Sequence, residues 1–275
     1  MHSCLKFSPG LFLVAALVLT PQSRAQSDPA AVAAVRQAVS SELAASKADK
    51  SIWMYKERDD TGGKHALYST IETHQGTLRR LIELNGKPLS GAAEQKEIRR
   101  IQNYVNDTAA QARAHRASIH DDAQATEMLK MLPDAFIWTK ESQTADSETL
   151  KFRPNPSFDP PDMQSRVMGI MAGEMIIALP GNRIKSLRGK LTEDVLIGFG
   201  LLGKLDRGGT FDVERRMVGN GRWQITETDV HIGGHALLFK TIGQQENDVK
   251  TDWHPSPAAT LQDAARLLTS GNNPM

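Results

Sequence analysis

The run Gly198-Phe199-Gly200-Leu201-Leu202-Gly203 matches the G-x-G-x-x-G pattern letter for letter. In a dinucleotide site, such glycines lie between a parallel strand and a helix whose N-terminus faces the pyrophosphate. Here the run continues into Lys204-Leu205-Asp206-Arg207-Gly208-Gly209, a turn, and then into strand-like sequence, so no cofactor is assigned. His231 and His235 have the H-x3-H spacing that on a helix would turn both imidazoles towards one metal. Gly233-Gly234 lies between them, and no cysteine or second carboxylate pair stands nearby to complete a ligand set. Glu227 and Asp229 precede His231 on the same strand-like run and read as a wet sheet face, so no metal is expected. His65, His74, His115 and His120 are scattered among polar residues and read as surface histidines. The G-x-S-x-G, H-E-x-x-H and Walker patterns are not found. A Ser-His-Asp triad can be dispersed along a chain, and nothing selects one, so a hydrolase is the least favoured class.

The most informative stretch is apolar. Residues 195–205 pack seven large apolar side chains among three glycines. Glycine at this density discourages a helix, and consecutive apolar residues leave no polar side for a half-wet strand. Such a segment must bury both sides, against a core or against a ligand. Met168, Met171 and Met175 lie upstream in a second segment rich in Met and Gly, and flexible methionines suit surfaces that adapt to varied apolar partners. The pocket candidates are Met171, Met175, Leu196, Ile197, Phe199, Leu201, Leu202 and Leu205, with Phe211 and Trp223 from the strands that follow.

The elements that must position these residues follow from periodicity and turn signals. Asp28-Pro29 starts a helix, and Val32, Val35, Val39 and Leu43 recur at helical spacing over about 29–46. The period then shortens to two. Residues 52–55, 65–74 and 77–85 read as an antiparallel meander with short Gly-bearing turns. Residues 90–132 read as a helical insertion, with Ile98, Ile101, Val105, Ala109 and Ala112 on one stripe and a break expected at His120-Asp121-Asp122. Pro133 is expected to end the second helix. Strands follow at 136–138 and 150–152, then a stiff loop bearing Pro154, Pro156, Pro160 and Pro161. A second meander occupies 174–253, with hairpin signals at Pro180-Gly181-Asn182 and Gly219-Asn220-Gly221, and a short helix closes the chain after Pro257. The turns are too short for parallel crossovers, so the class is α+β with an antiparallel sheet.

Length and charge narrow the function classes. The chain has 275 residues with 33 basic and 32 acidic side chains, a net charge of +1. This balance argues against nucleic acid as a partner, because phosphate neutralisation needs a surplus of Lys and Arg. Residues 11–19 form an unbroken apolar run, followed by Pro21 and the small residues Ser23 and Ala25, which is the pattern of a signal peptide cut after Ala25. Nine apolar residues are too few to cross a bilayer, which takes about 20. The expected mature chain, 26–275, is one domain without a membrane span. It has no cysteine, since Cys4 leaves with the leader, so its core rather than disulfides must hold it. A periplasmic or secreted location is expected.

Three hairpin-like blocks, HALYSTIETHQGTLRRLIELNG, GEMIIALPGNRIKSLRGKL and GRWQITETDVHIGGHALLFKTI, follow a leader and an N-terminal helix. In this order of elements the chain resembles the LolA/RseB-like periplasmic half-barrels, the family of outer-membrane lipoprotein carriers. The resemblance implies a strongly curved antiparallel sheet with helices covering its concave, apolar side, where a lipid or a lipoprotein acyl chain can lie. No functional residue of the family matches a particular position here. The expected function is non-enzymatic binding of an apolar ligand, and the second expectation is an envelope protein–protein interaction or sensor module without a ligand.

Overall fold

The computed structural model describes residues 26–197, 203–235 and 244–270. Helix α1 (Pro29–Ala48) begins where Asp28 accepts a hydrogen bond from the Ala30 amide at 2.9 Å. Strands β1 (Trp53–Thr61), β2 (Lys64–Thr73) and β3 (Gly76–Leu84) form the first meander, and β4 (Lys87–Pro88) adds two residues to it. Helices α2 (Gly91–Asn106) and α3 (Thr108–Ala135) follow, then β5 (Phe136–Gln143), β6 (Ser147–Pro154) and α4 (Met163–Met168). The second meander comprises β7 (Met171–Ala178), β8 (Arg183–Leu191), β9 (Val195–Ile197), β10 (Gly203–Leu205), β11 (Thr210–Gly219), β12 (Arg222–Ile232), β13 (Gly234–His235) and β14 (Gln244–Pro255). The chain then forms α5 (Leu261–Thr269), which begins at a reciprocal cap between Thr260 and Asp263.

The class is α+β. Among the described residues, eleven strands form one open antiparallel sheet in the order β4-β3-β2-β1-β14-β12-β11-β8-β7-β6-β5, and β13-β10-β9 form a small second sheet. Hairpin turns are set where sequence demands a left-handed backbone, as at Asn220 (φ 49°) and Gly221 (φ 75°) between β11 and β12. Pairing of β14 with β1 brings the two meanders into one sheet. Gly173 and Gly189 are direct partners on β7 and β8. A Cβ at Gly173 would lie 2.0 Å from the Arg188 carbonyl oxygen, and one at Gly189 would lie 2.7 Å from that of Ala172. The strands therefore cross here at a closeness only glycine permits, a device for bending a sheet.

Cross-strand partners share a face, so the register assigns every strand residue to a side. Met175, Leu187, Val213, Thr228, Asp248 and Asp59 follow one another across six strands on one face. Helix α1 packs there, and its Ala31, Val35, Ala38 and Val39 bury Trp138, Leu150, Phe152, Met175 and Ile177. Ile176, Ser186, Glu214, Glu227, Val249, Arg58 and Leu67 define the other face. On that side Met54, Ile71 and Leu78 meet Ile101 and Val105 of α2 and Leu261, Ala264 and Leu268 of α5.

Two local expectations are corrected. The break in the helical insertion falls at Asp107, whose carboxylate caps α3 by accepting from the Ala110 amide at 2.8 Å, and not at 120–122, where the helix is continuous. Pro133 does not end α3, which runs on to Ala135. Helix α4 had no periodic signal because six residues are too few to show one.

Candidate functional site

The pocket candidates fall in separate places. Met175 is fully buried in the core beneath α1, and Phe211 packs against the same core. Met171 belongs both to that core and to a smaller cluster of Leu191, Val195, Leu205, Met163, Val167, Ile170 and Ile232. This cluster joins the small β9–β10–β13 sheet to α4. Leu196, next to Val195 on β9, points the other way and is 52% exposed. Ile197 ends β9, where its backbone partner is Gly203. Phe199, Leu201 and Leu202 lie outside the described residues. Trp223 is apart from all of these, half-buried on β12. After Gly203 the chain forms β10, a turn and β11, which is not the strand-to-helix turn a dinucleotide site uses. His231 lies on exposed strand surface and pairs with Asp229 at 3.0 Å. Among the described residues no three His, Cys, Asp or Glu are grouped to hold a metal, and no helix is long and apolar enough to cross a membrane.

The most developed polar constellation is one that sequence reading missed. Glu42 continues the buried stripe of α1 after Val35, Ala38 and Val39, so its carboxylate is carried into the sheet. Its Oε1 accepts from Arg183 Nε at 3.0 Å and from the Ile184 amide at 2.8 Å, and its Oε2 accepts from Arg183 Nη2 at 2.8 Å. Arg215 Nη1 reaches Oε1 at 2.6 Å. Burial pushes the Glu42 pKa up, but hydrogen bonds and charge from the two guanidiniums outweigh it, and the carboxyl lies below its ordinary range. A carboxylate on an otherwise apolar helical stripe was the signal available. Its two arginine partners, about 140 and 170 residues away in sequence, had none.

Beside this knot lies a cavity of about 330 Å³. Arg183, Arg215 and Arg222 line it from the sheet, with Trp223 and Gln224, and Asp49 and Glu72 line it from the end of α1 and from β2. Asp49 accepts from the Ser51 amide and hydroxyl and faces Arg222 Nε at 3.5 Å. Burial acts against the Asp49 charge, but these hydrogen bonds and the arginines prevail and lower its pKa. Glu72 differs. Burial raises its pKa, the Trp53 amide at 2.9 Å and the charge of Lys250 only partly oppose this, and Asp49 adds repulsion. Further along the same face, Tyr55 stacks on Trp253 at 4.3 Å, and burial beside Glu72, Glu57 and Asp248 keeps its phenol protonated.

A groove of about 420 Å³ at the β3 edge holds Tyr68, Arg79, Glu97, Arg100 and Tyr104. It is sealed by side chains: Glu97 accepts from the Leu81 amide at 2.8 Å, and Arg100 donates to the Arg79 carbonyl at 2.5 Å. Helix α2 thus satisfies part of an edge that would otherwise offer itself to another strand.

No protein-family model matches the chain, and no curated protein matches it. Among solved structures, the chain is similar to a putative outer membrane lipoprotein-sorting protein domain from Vibrio parahaemolyticus. The two share 8% identity at a TM-score of 0.30, over 83% of this chain and 96% of that one.

Proposed function

We propose that this is an exported, non-enzymatic binding protein of the LolA/RseB-like kind that takes an apolar ligand, a lipid or a lipoprotein acyl chain, in the bacterial periplasm. One observation carries the reading. The β9–β10–β13 sheet is separate from the main sheet and rests on α4 through Val195 and Leu205, while Leu196 presents an apolar side chain to solvent beside it. The inner cluster of Leu191, Met171, Ile170 and Ile232 provides an apolar wall if the small sheet lifts. Burial of ligand area there is worth about 25 cal/mol per Å² before ordering costs. The charged cavity beside Glu42 does not suit an acyl chain, because its arginines and carboxylates would lose water without gaining partners.

The test is native mass spectrometry with lipid extraction on protein purified from the periplasm without detergent. A discrete lipid mass that is lost in Ile170→Asp, a half-buried position on that inner wall, with unchanged circular dichroism, is the expected result. A clean apo mass for the wild type, or full retention in the folded variant, would remove the assignment.

The second reading, a protein-docking module, is favoured by α3. Residues 112–123 of this helix are exposed all round, including Ile119 at 56%. A helical stretch with no apolar face against its own protein is a candidate for covering by another. Photo-crosslinking from position 119 in intact cells should trap one discrete partner if this reading holds. No discrete product would count against it.

A further inference from the structure

The cavity at the end of α1 has a charge arrangement that the apolar-ligand reading does not use. Its lining carries three guanidiniums, from Arg183, Arg215 and Arg222, and three carboxylates, from Glu42, Asp49 and Glu72. They are not mixed at random. Glu42 is saturated by Arg183, Arg215 and the Ile184 amide and faces into the sheet, leaving one guanidinium charge in excess on that wall. Arg222 is half-exposed, with its Nε 3.5 Å from Asp49. Glu72 lines the cavity from β2, which β1 and β14 separate from the arginine-bearing strands, and there burial and the Asp49 charge prevail over the Trp53 amide and the charge of Lys250, itself paired with Asp248 at 3.0 Å. The arginine side therefore carries a positive charge in excess, and among the described residues Glu72 has no ion pair of its own, while the lining as a whole sums to zero.

We infer that this cavity binds a small zwitterion, with the ligand's phosphate or carboxylate against Arg183, Arg215 and Arg222 and its ammonium between Asp49 and Glu72. A ligand of one sign would satisfy one wall and leave the other uncompensated, whereas a zwitterion satisfies both without adding net charge to a half-buried site. The cavity of about 330 Å³ lies at the small end of ligand-pocket sizes, roughly 300–1,000 Å³, which suits a head group or an amino acid rather than a long chain. Trp223 and Gln224 complete the lining and supply an aromatic reporter and a neutral amide. The inference is independent of the apolar site, which lies at the other end of β8, near Leu191 rather than Arg183.

The test is a titration of the mature protein followed by tryptophan fluorescence and calorimetry. Glycerophosphoethanolamine, a phosphodiester of zero net charge, and L-glutamine serve as free zwitterions, acetate and ethylamine as single-charge controls. A second arm measures co-sedimentation with phosphatidylethanolamine vesicles against phosphatidylglycerol vesicles. A saturable response to a zwitterion that the controls do not give, weakened about tenfold or more in both Glu72→Gln and Arg222→Gln, is the expected result. Glu72→Gln keeps the acceptor for the Trp53 amide and Arg222 lies half-exposed, so both variants should fold. Binding in the first arm alone identifies a soluble ligand, and selective sedimentation identifies a lipid head group. The inference is overturned by no saturable response in either arm up to about 10 mM, by equal responses to acetate or ethylamine, or by variants that bind as the wild type does.

Discussion

Replacing Glu42 tests whether the join between α1 and the sheet is electrostatic. The Glu42 side chain is 7% exposed, and those of Arg183 and Arg215 are 16% and 18% exposed. Removing one partner of a buried, hydrogen-bonded charge pair costs about 3–5 kcal/mol, because the charge left behind is uncompensated. Two features place Glu42→Ala at the low end of that range. Arg215 keeps the Ile184 and Trp223 carbonyls at 3.2 and 3.4 Å, and the adjacent cavity can hydrate the freed guanidiniums. A loss of about 3 kcal/mol is therefore expected for Glu42→Ala, and about 1–2 kcal/mol for Glu42→Gln, which keeps an acceptor for the Ile184 amide. The assay is urea unfolding followed by circular dichroism, with the midpoint shifted and the slope unchanged. The pH dependence has a fixed sign. The folded-state pKa of Glu42 lies below the ordinary value of 4.5, so the stabilisation is fully present above about pH 5 and fades as pH falls through the folded value. The gap between wild type and Glu42→Gln should narrow in the same window. A loss below about 1 kcal/mol for Glu42→Ala, or a gap that stays constant from neutral pH to about pH 3, would refute the reasoning.

Gly173→Ala should be among the most damaging single-methyl additions in the chain, costing about 3 kcal/mol or more or preventing folding, because its Cβ would meet the Arg188 carbonyl at 2.0 Å. Gly169→Ala is the control: its nearest neighbour is at 3.5 Å and its backbone is right-handed, so thermal unfolding should show it neutral or slightly stabilised. Thr260→Ala removes the α5 cap and should cost about 1 kcal/mol, read from the denaturant midpoint. Leu268→Ala, in the core between α5 and the β1–β3 meander, should cost about 2–5 kcal/mol by the same measurement.

Local signals reached as far as local physics acts. The first helix, the early meander and the Asn220-Gly221 hairpin were legible because a 3.6-residue or two-residue period and a turn residue at positive φ leave marks within a few positions. The expected break at His120-Asp121-Asp122 failed for a related reason. Asp121 and Asp122 are good caps, but Asp107 is also one, and choosing between them depends on where α2 must stop to seal the β3 edge with Glu97 and Arg100. The candidate list grouped Met171, Met175, Leu205, Phe211 and Trp223 by composition, and tertiary packing divides them between two apolar clusters and a polar cavity.

From sequence alone, then, came the α+β class, the antiparallel connections, the starts of α1 and α2 and the balance of charge, all properties of neighbouring residues or of composition. Only the tertiary structure decided that β14 lies beside β1, that Gly173 meets Gly189, and that Glu42 meets Arg183 and Arg215. Gly173 and Gly189 stand 16 positions apart, and the other contacts join residues more than a hundred positions apart. Their energy comes from burial and charge compensation that exist only once the sheet has formed, so a short stretch of chain shows at most that Glu42 is out of place on its stripe, and not which residues it meets.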